Sequence, residues 1–253
     1  MSLIKELTRP LIIAHRGASA HAPENTMSAF NIALEQNADA IELDVKLTAD
    51  GYPVAIHDQT VDRTTDASGD ISMFFLSTVR ELDAGTHFSR NFSYERIPTL
   101  EEIFETIGKK TILNVELTNY ATPRDSLPDK VAEMVIQHGL EERILFSSFL
   151  HMNLRRVKEI LPQVPVAILP MRGFVGLAAR RFMGRRVSPE FIHPHYKDVN
   201  SNFMKKEKSH NRRVHVWTVN PRSELRRMSA LEVDGVITDD PLKARDVLED
   251  HRG

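Results

Sequence analysis

The stretch LIIAHRGASAHAPENTMSAFNIALEQNADAIELDVK, residues 11–46, contains the structural unit that decides the fold. A short apolar run over residues 11–14 leads into His-Arg-Gly, and apolar residues then recur at helical spacing over residues 28–36. An alternating apolar run follows at residues 40–45. This order of strand, helix and strand predicts two parallel strands joined by a right-handed crossover.

The same alternation continues to the end of the chain. Strands are predicted at residues 11–14, 40–45, 111–117, 143–147, 165–169, 190–193, 213–219 and 234–238. Helices are predicted at residues 28–36, 99–107, 128–138, 154–161 and 221–230. Eight strands alternating with helices in 253 residues predict a closed (β/α)8 TIM barrel, an α/β fold. An open doubly wound sheet is the alternative.

Two segments depart from this alternation. The Asp-Gly pair in TADGYPVAIHD, residues 48–58, predicts a hairpin that extends the second strand beyond the barrel rim. Residues 58–98 then form a long insertion, and insertions of this size usually have a function. No repeat or linker divides the chain, so we expect a single domain over residues 1–253.

The composition excludes several classes of protein. The 33 basic and 35 acidic residues nearly cancel, so no overall field attracts nucleic acid or anionic membranes. The absence of cysteine excludes disulfides, a thiolate nucleophile and Cys-ligated zinc. No segment has the length of a secretory signal or of a membrane span. We therefore expect a cytoplasmic protein without a nucleic-acid partner, and the sequence does not indicate its oligomeric state.

Acidic residues share one face of two predicted strands. Because side chains alternate along a strand, Glu42 and Asp44 face the barrel interior, and Glu116 does so on the next strand. Unpaired buried carboxylates are costly, and all-oxygen ligation favours Mg²⁺ or Ca²⁺ over zinc. The pattern predicts one divalent cation, with a structural network of acids and arginines as the alternative.

Two histidines and an arginine are expected at the same rim. His15 and Arg16 end the first strand, and His57 ends the hairpin strand. A guanidinium suits phosphate because its planar fork donates two hydrogen bonds and keeps its charge. Two histidines suit acid and base roles near neutral pH. Together with a metal ion, these residues predict cleavage of a phosphodiester.

Six motifs resemble, in the same order, those of the glycerophosphodiester phosphodiesterase family: AHRGASAHAPENT, IELDVKLTADGYPVAIHD, DRTT, NVEL, VHVWTVN and DGVITDDP. The resemblance implies a TIM barrel that hydrolyses glycerophosphodiesters to glycerol 3-phosphate and an alcohol. It implies one divalent cation, and it leaves open which histidine is the acid. The site residues that it implies are the metal ligands Glu42, Asp44 and Glu116, the acid and base pair His15 and His57, the phosphate-binding Arg16, and Trp217 beside the alcohol.

The chain departs from the family at one position. The family usually has a lysine that reaches the substrate two residues after the glutamate of the third strand, where this chain has Thr118. A hydroxyl does not replace the charge of an ammonium group. Either Arg172 or Lys197 supplies that charge from another loop, or activity toward the usual substrate is reduced. Glu24 and Asn25 are expected to support or cap the site.

Two further segments bear on the substrate. Five arginines between Arg172 and Arg186, without an acid, suggest peripheral contact with anionic lipid, and a solvated helix and loop is the alternative. FIHPHYKD places His193 and His195 at a spacing that metal-dependent amidohydrolases use. In those enzymes the histidine pair ends the first strand, whereas His193 and His195 would end the sixth. We therefore expect His193 to line the substrate pocket.

Two other functions stay open. One is lysophospholipase D-like or sphingomyelinase D-like cleavage of membrane lipid, which the arginine-rich segment and the missing lysine favour. The other is a non-catalytic phosphate-binding barrel. The presence of both histidines and all three acids argues against the second.

Overall fold

The computed structural model describes residues 2–7, 10–171 and 187–249. The strands are β1 (Leu11–His15), β2 (Ala40–Leu47), β3 (Pro53–Ala55), β4 (Ile112–Leu117), β5 (Ile144–Ser148), β6 (Val166–Ile168), β7 (Phe191–Ile192), β8 (Arg213–Val216) and β9 (Gly235–Thr238). All except β3 run parallel, and β1 pairs with both β2 and β9, which closes the barrel. The prediction of a TIM barrel is confirmed.

The helices are α1 (Met27–Glu35), α2 (Leu76–Val79), α3 (Leu100–Ile107), α4 (Leu127–His138), α5 (His151–Ile160), α6 (Ser201–Ser209), α7 (Arg222–Ala230) and α8 (Pro241–Glu249). Their ends follow local capping rules. The Thr26 hydroxyl accepts a hydrogen bond from the backbone N–H of Ala29 at the start of α1. Gly139 adopts a left-handed conformation that ends α4. The sequence had not predicted α2, α6 or α8.

The side chains of the barrel separate into two layers along each strand. Ile41, Leu43 and Val45 of β2 are buried in the core between the barrel and its helices. The inward-facing Ile13, Phe191 and other apolar residues fill the lower part of the barrel. Polar residues occupy the inward positions nearer the carboxyl ends of the strands, so the sequence alternation delivers them to the mouth of the barrel.

The hairpin and the chain that follows it form a structure on one side of this mouth. β3 pairs antiparallel with β2, with Val45 opposite Ala55, which confirms the predicted hairpin. Residues between β3 and α3 bury a small apolar cluster of their own that includes Val61, Ile71 and Val79. The cluster also includes Val54 of β3, so it connects this part of the chain to the hairpin.

The arginine-rich segment predicted to contact lipid falls at residues 172–186, outside the described residues. Within the ranges that are described, no helix combines the length and the apolar character that a membrane crossing needs.

Candidate active site

Three carboxylates converge at the mouth of the barrel. Glu42 and Asp44 project from β2 and Glu116 from β4, and the parallel register pairs Asp44 with Glu116. Each residue offers one oxygen, and these oxygens all lie within 4.8 Å of one another. Within the described part of the chain, no other group of three or more acids and histidines is close enough together to hold a metal ion.

Burial and mutual repulsion disfavour the ionised forms of these acids. Burial, together with the charges of Asp44 and Glu116, raises the pKa of Glu42 well above its usual range, and Arg16 acts in the opposite direction. Burial and the charge of Asp44 raise the pKa of Glu116 to about 8. A bound cation would offset this repulsion. The oxygen donors fit a hard divalent ion such as Mg²⁺ or Ca²⁺.

Arg16 contacts these acids through both its backbone and its side chain. It has a left-handed backbone conformation, with φ of 57°, which directs its N–H to Glu42 Oε2 at 2.9 Å. Its Nη1 donates to Glu24 Oε1 at 2.8 Å, and its Nε lies 3.2 Å from Asp44 Oδ2. Burial opposes the charge, but these carboxylates raise the pKa of Arg16 above its usual value. The guanidinium therefore stays charged and retains N–H groups for a ligand.

Each histidine at the rim is held by a carboxylate. His15 Nδ1 lies 2.6 Å from Asp239 Oδ1, and His57 Nδ1 lies 2.6 Å from Asp58 Oδ1. With the proton on Nδ1 donated to the carboxylate, Nε2 of each ring remains available for proton transfer. Burial opposes ionisation of Asp239, but the bond with His15 keeps its pKa below the usual value. The aspartates therefore orient the rings while they are themselves charged.

Arg63, in the chain that follows β3, connects the carboxylate beside Arg16 with the carboxylate beside His57. Its Nη1 and Nη2 donate to the Glu24 carboxylate at 2.7 and 2.8 Å, and its Nε donates to Asp58 Oδ2 at 2.6 Å. Although burial opposes the shift, these bonds lower the pKa of Glu24 to about 2. They also hold the pKa of Asp58 below its usual range. The Arg63 guanidinium thus binds both Glu24, which contacts Arg16, and Asp58, which contacts His57.

The three acids, Arg16 and the two histidines line one cavity of about 210 Å³. The structure brings all eight of the site residues predicted from the sequence to its walls, together with Asn114, Phe149, Leu169 and Ile237. The predicted residues on its walls are His15, Arg16, Glu42, Asp44, His57, Glu116, His193 and Trp217.

The wall across from the acids is mainly apolar and aromatic. Trp217 donates from Nε1 to the carbonyl oxygen of His193 at 2.6 Å, and its ring meets Phe149 edge to face with centroids 6.0 Å apart. His193 is 1 % exposed, and burial lowers its pKa to about 3. His195 packs its ring against Trp217, and it belongs to no metal-sized group among the described residues. The arrangement suits a substrate with one charged and one less polar end.

Several contacting residues were not singled out from the sequence. Asp58, Asp239 and Arg63 occur in the quoted motifs HD, DGVITDDP and DRTT, but local spacing does not reveal their partners. Lys197 is exposed, with Nζ 5.8 Å from the ring centroid of Tyr196, and it does not line the cavity. Arg172 lies outside the described residues.

Comparison with known proteins gives consistent matches. The sequence pattern of the glycerophosphoryl diester phosphodiesterase family matches residues 15–243. A glycerophosphodiester phosphodiesterase of Caldanaerobacter subterraneus is 41 % identical over 234 residues, which cover 92 % of this chain and 95 % of the relative. A glycerophosphodiester phosphodiesterase of Bacillus altitudinis is 32 % identical and covers 94 % of this chain and 98 % of its own.

Solved structures agree with these matches. An Oleispira antarctica phosphodiesterase, in complex with the product sn-glycerol-3-phosphate, superposes with a TM-score of 0.84 at 28 % identity. The match covers 98 % of this chain and all of the other. A glycerophosphodiester phosphodiesterase of Agrobacterium tumefaciens gives a TM-score of 0.79 at 27 % identity, over 94 % of this chain and 98 % of the other.

Proposed function

This chain belongs to the glycerophosphoryl diester phosphodiesterase family and is an enzyme of that class, and we propose that it hydrolyses glycerophosphodiesters to glycerol 3-phosphate and an alcohol. In this proposal the reaction uses a divalent cation, with His15 and His57 as the general acid and base. One observation carries it. A single cavity presents the three acids, the Arg16 guanidinium and two histidines that are each held by an aspartate.

The acids Glu42, Asp44 and Glu116 are the proposed ligands of the cation, which is Mg²⁺ or Ca²⁺ because all three donors are hard oxygens. Such an ion supplies positive charge at the phosphate and stabilises the charge that develops as phosphorus is attacked. Tyr120 donates its hydroxyl hydrogen to Glu116 Oε1 at 2.7 Å, which fixes the orientation of this carboxylate.

Arg16 is proposed to bind a non-bridging oxygen of the phosphate. Nη1 donates to Glu24, and Nε lies within ion-pair distance of Asp44; among the described residues no hydrogen bond uses Nη2, which is therefore available to the phosphate. Those carboxylates also fix the plane of the guanidinium before the substrate arrives. A donor that is oriented in advance stabilises the transition state without the cost of reorganisation.

The two histidines divide the proton transfers. In our proposal one imidazole accepts a proton from the attacking water at its free Nε2, and the other, in its imidazolium form, donates a proton to the oxygen of the departing alcohol. The P–O bond to the alcohol breaks as the new P–O bond forms. Asp239 and Asp58 keep each ring directed into the cavity. The alcohol then lies along the aromatic wall of Phe149 and Trp217.

The test is a substrate panel of glycerophosphocholine, glycerophosphoethanolamine, glycerophosphoglycerol and lysophospholipids, assayed with EDTA and then with Mg²⁺ or Ca²⁺ restored. We expect cleavage of the water-soluble diesters, loss of activity with EDTA and recovery with one of the ions. Cleavage of lysophospholipids alone would instead favour the lipid-cleaving alternative. Absence of any cleavage would favour a non-catalytic barrel.

Variants test the assigned roles. His57→Ala should lower kcat by about 10² or more, because general acid–base catalysis contributes roughly 10² to 10⁴. His210→Ala is the control, since His210 is exposed and does not line the cavity. A folded His57→Ala protein with near-normal kcat would contradict the acid–base assignment.

A further inference from the structure

Exposed apolar side chains are concentrated on the side of the barrel formed by the segments that follow its strands, which we call the catalytic face because the cavity opens there. In the described part of the chain nine large apolar or aromatic side chains are exposed. Seven of them lie in these segments rather than on the outer helices: Tyr52, Met73, Phe75, Phe88, Tyr94, Tyr120 and Met171. Single exposed apolar residues are common on any protein, but such a one-sided distribution indicates a contact surface.

Three of these side chains lie at the hairpin turn between β2 and β3. Tyr52 belongs to the turn itself. The N–H of Ala49 donates to the carbonyl oxygen of Phe74 at 2.8 Å, which holds Met73 and Phe75 beside the same turn. β2 continues past the end of its neighbour β4, so the turn projects beyond the barrel rim. Met73, which is 76 % exposed, therefore extends into the surroundings rather than into the core.

A second group is aromatic and lies in the chain before α3. The rings of Phe88 and Phe92 meet edge to face with centroids 5.7 Å apart, and the centroid of Tyr94 lies 6.4 Å from that of Phe92. The Tyr94 hydroxyl is 3.4 Å from the hydroxyl of Ser28, in the first turn of α1. Because α1 follows β1, this contact places the aromatic group on the catalytic face. Tyr94 is nevertheless 65 % exposed.

The charges within the aromatic segment favour an anionic partner. Between residues 86 and 96 the charged side chains are Arg90, Glu95 and Arg96. Glu95 is 6 % exposed and accepts a hydrogen bond from the Ser28 hydroxyl at 2.5 Å. Arg90 is exposed and forms no ion pair with another described residue. The accessible charges of this segment are therefore positive.

The chain that continues from this face is also basic. Met171 is the last described residue after β6, and the next fifteen residues, 172–186, contain five arginines and no acid. Anionic phospholipid headgroups attract arginine, and aromatic side chains favour the interfacial layer of a bilayer. Apolar side chains on several turns would each need a matching depression in a protein partner, whereas a bilayer adapts to them.

We propose that the catalytic face docks on a phospholipid bilayer that contains anionic headgroups. The hairpin turn and the aromatic group enter the interfacial layer, and Arg90 contacts a headgroup phosphate. The cavity then opens toward the bilayer. This inference goes beyond the proposed function and holds whichever diester is cleaved, because none of these side chains lines the cavity.

The test is sedimentation of the full chain with vesicles of phosphatidylcholine, alone or mixed with phosphatidylglycerol. Phe75→Ser and Tyr94→Ser each remove one exposed side chain, and Arg90→Glu reverses a charge. Ile136→Ser is the matched control for the first two, because Ile136 is 48 % exposed near the end of α4, away from the catalytic face. Arg226→Glu, at an exposed position of α7, is the control for the third. Thermal melting selects the variants that are folded.

The wild-type protein should sediment with both kinds of vesicle, and more with the mixed ones. Phe75→Ser and Tyr94→Ser should each lower the partition coefficient about fivefold or more with both kinds, because apolar surface no longer leaves water. Arg90→Glu should lower it about fivefold or more with the mixed vesicles alone, and added salt should have a similar effect. Ile136→Ser and Arg226→Glu should stay within about twofold of the wild type, since their positions do not meet the bilayer.

Four outcomes would overturn the inference. The first is a wild-type protein that sediments with neither kind of vesicle, and the second is unchanged sedimentation of folded Phe75→Ser and Tyr94→Ser. The third is an equal loss in Ile136→Ser. The fourth is a concentration-dependent dimer in analytical ultracentrifugation that Phe75→Ser or Tyr94→Ser abolishes, which would assign the face to a second copy of this chain. A protein that binds vesicles but cleaves no diester would instead contradict the proposed function.

Discussion

Burial of the His193 imidazole makes the stability of the fold depend on pH in a way that the structure quantifies. The pKa of His193 is lowered to about 3 by burial, whereas an unfolded histidine titrates near 6.5. Below pH 6.5 the unfolded chain binds a proton that the folded protein does not accept until the pH approaches 3. Stability is therefore complete above pH 6.5 and falls as the pH decreases, by about 1.4 kcal/mol per pH unit. Between pH 7 and pH 5 the loss from this residue is about 2 kcal/mol.

The measurement is urea unfolding at pH 5, 6 and 7 in EDTA, for the wild-type protein and for His193→Gln, which cannot take up a proton. The free energy of unfolding of the variant should fall by about 2 kcal/mol less than that of the wild type between pH 7 and 5. Other titrating groups contribute equally to both proteins, so the difference isolates His193. His210→Gln, at an exposed position, is the control and should keep the wild-type dependence. Equal pH dependence in wild type and His193→Gln would refute the reasoning.

Three further predictions concern the cavity. Asp239→Asn keeps the size of the side chain but removes the charge that holds His15. Because acid–base catalysis contributes a factor of roughly 10² to 10⁴ to the rate, kcat should fall about tenfold or more. An unchanged kcat in steady-state kinetics would contradict this. Arg63→Met breaks the link between Glu24 and Asp58, so kcat should fall while the melting temperature changes by only a few degrees. A wild-type kcat in Arg63→Lys would show that the planar geometry of the guanidinium is unimportant. Mg²⁺ or Ca²⁺ at 100 times its Kd should stabilise the wild-type protein by about 2.7 kcal/mol and should stabilise Glu116→Gln much less; equal thermal shifts in the two proteins would place the ion elsewhere.

The strands were predictable because each one is an apolar or alternating run bounded by polar residues. The helices that the sequence did not reveal lack this regularity. α6 buries only Phe203 and Glu207 among its nine residues, so its sequence has almost no apolar period. α8 buries Ala244, Val247 and Leu248 in a short segment near the end of the chain. In both helices, packing on the barrel stabilises a conformation that the local pattern does not specify.

The same distinction separates the site residues that were predicted from those that were not. Strand alternation directs Glu42 and Asp44 inward, and it gives the same face to Lys46, whose burial was missed because lysine is usually exposed. The bond between His15 and Asp239 joins residues 224 positions apart, and no period in the sequence encodes such a contact. Only closure of the barrel, which pairs β1 with β9, brings these two residues together.

The order of the strands also divides the cavity by chemistry. His15, Glu42 and Glu116 come from β1, β2 and β4, which are consecutive around the barrel. Phe149 and Trp217 follow β5 and β8 on the remaining arc. In the proposed function, a phosphodiester bound with its phosphate at the charged arc directs its alcohol toward the aromatic arc. Substitutions on the first arc should affect every substrate, whereas substitutions at Phe149 or Trp217 should change which alcohol is preferred, because in the proposed orientation these side chains face the alcohol, the part of the substrate that varies.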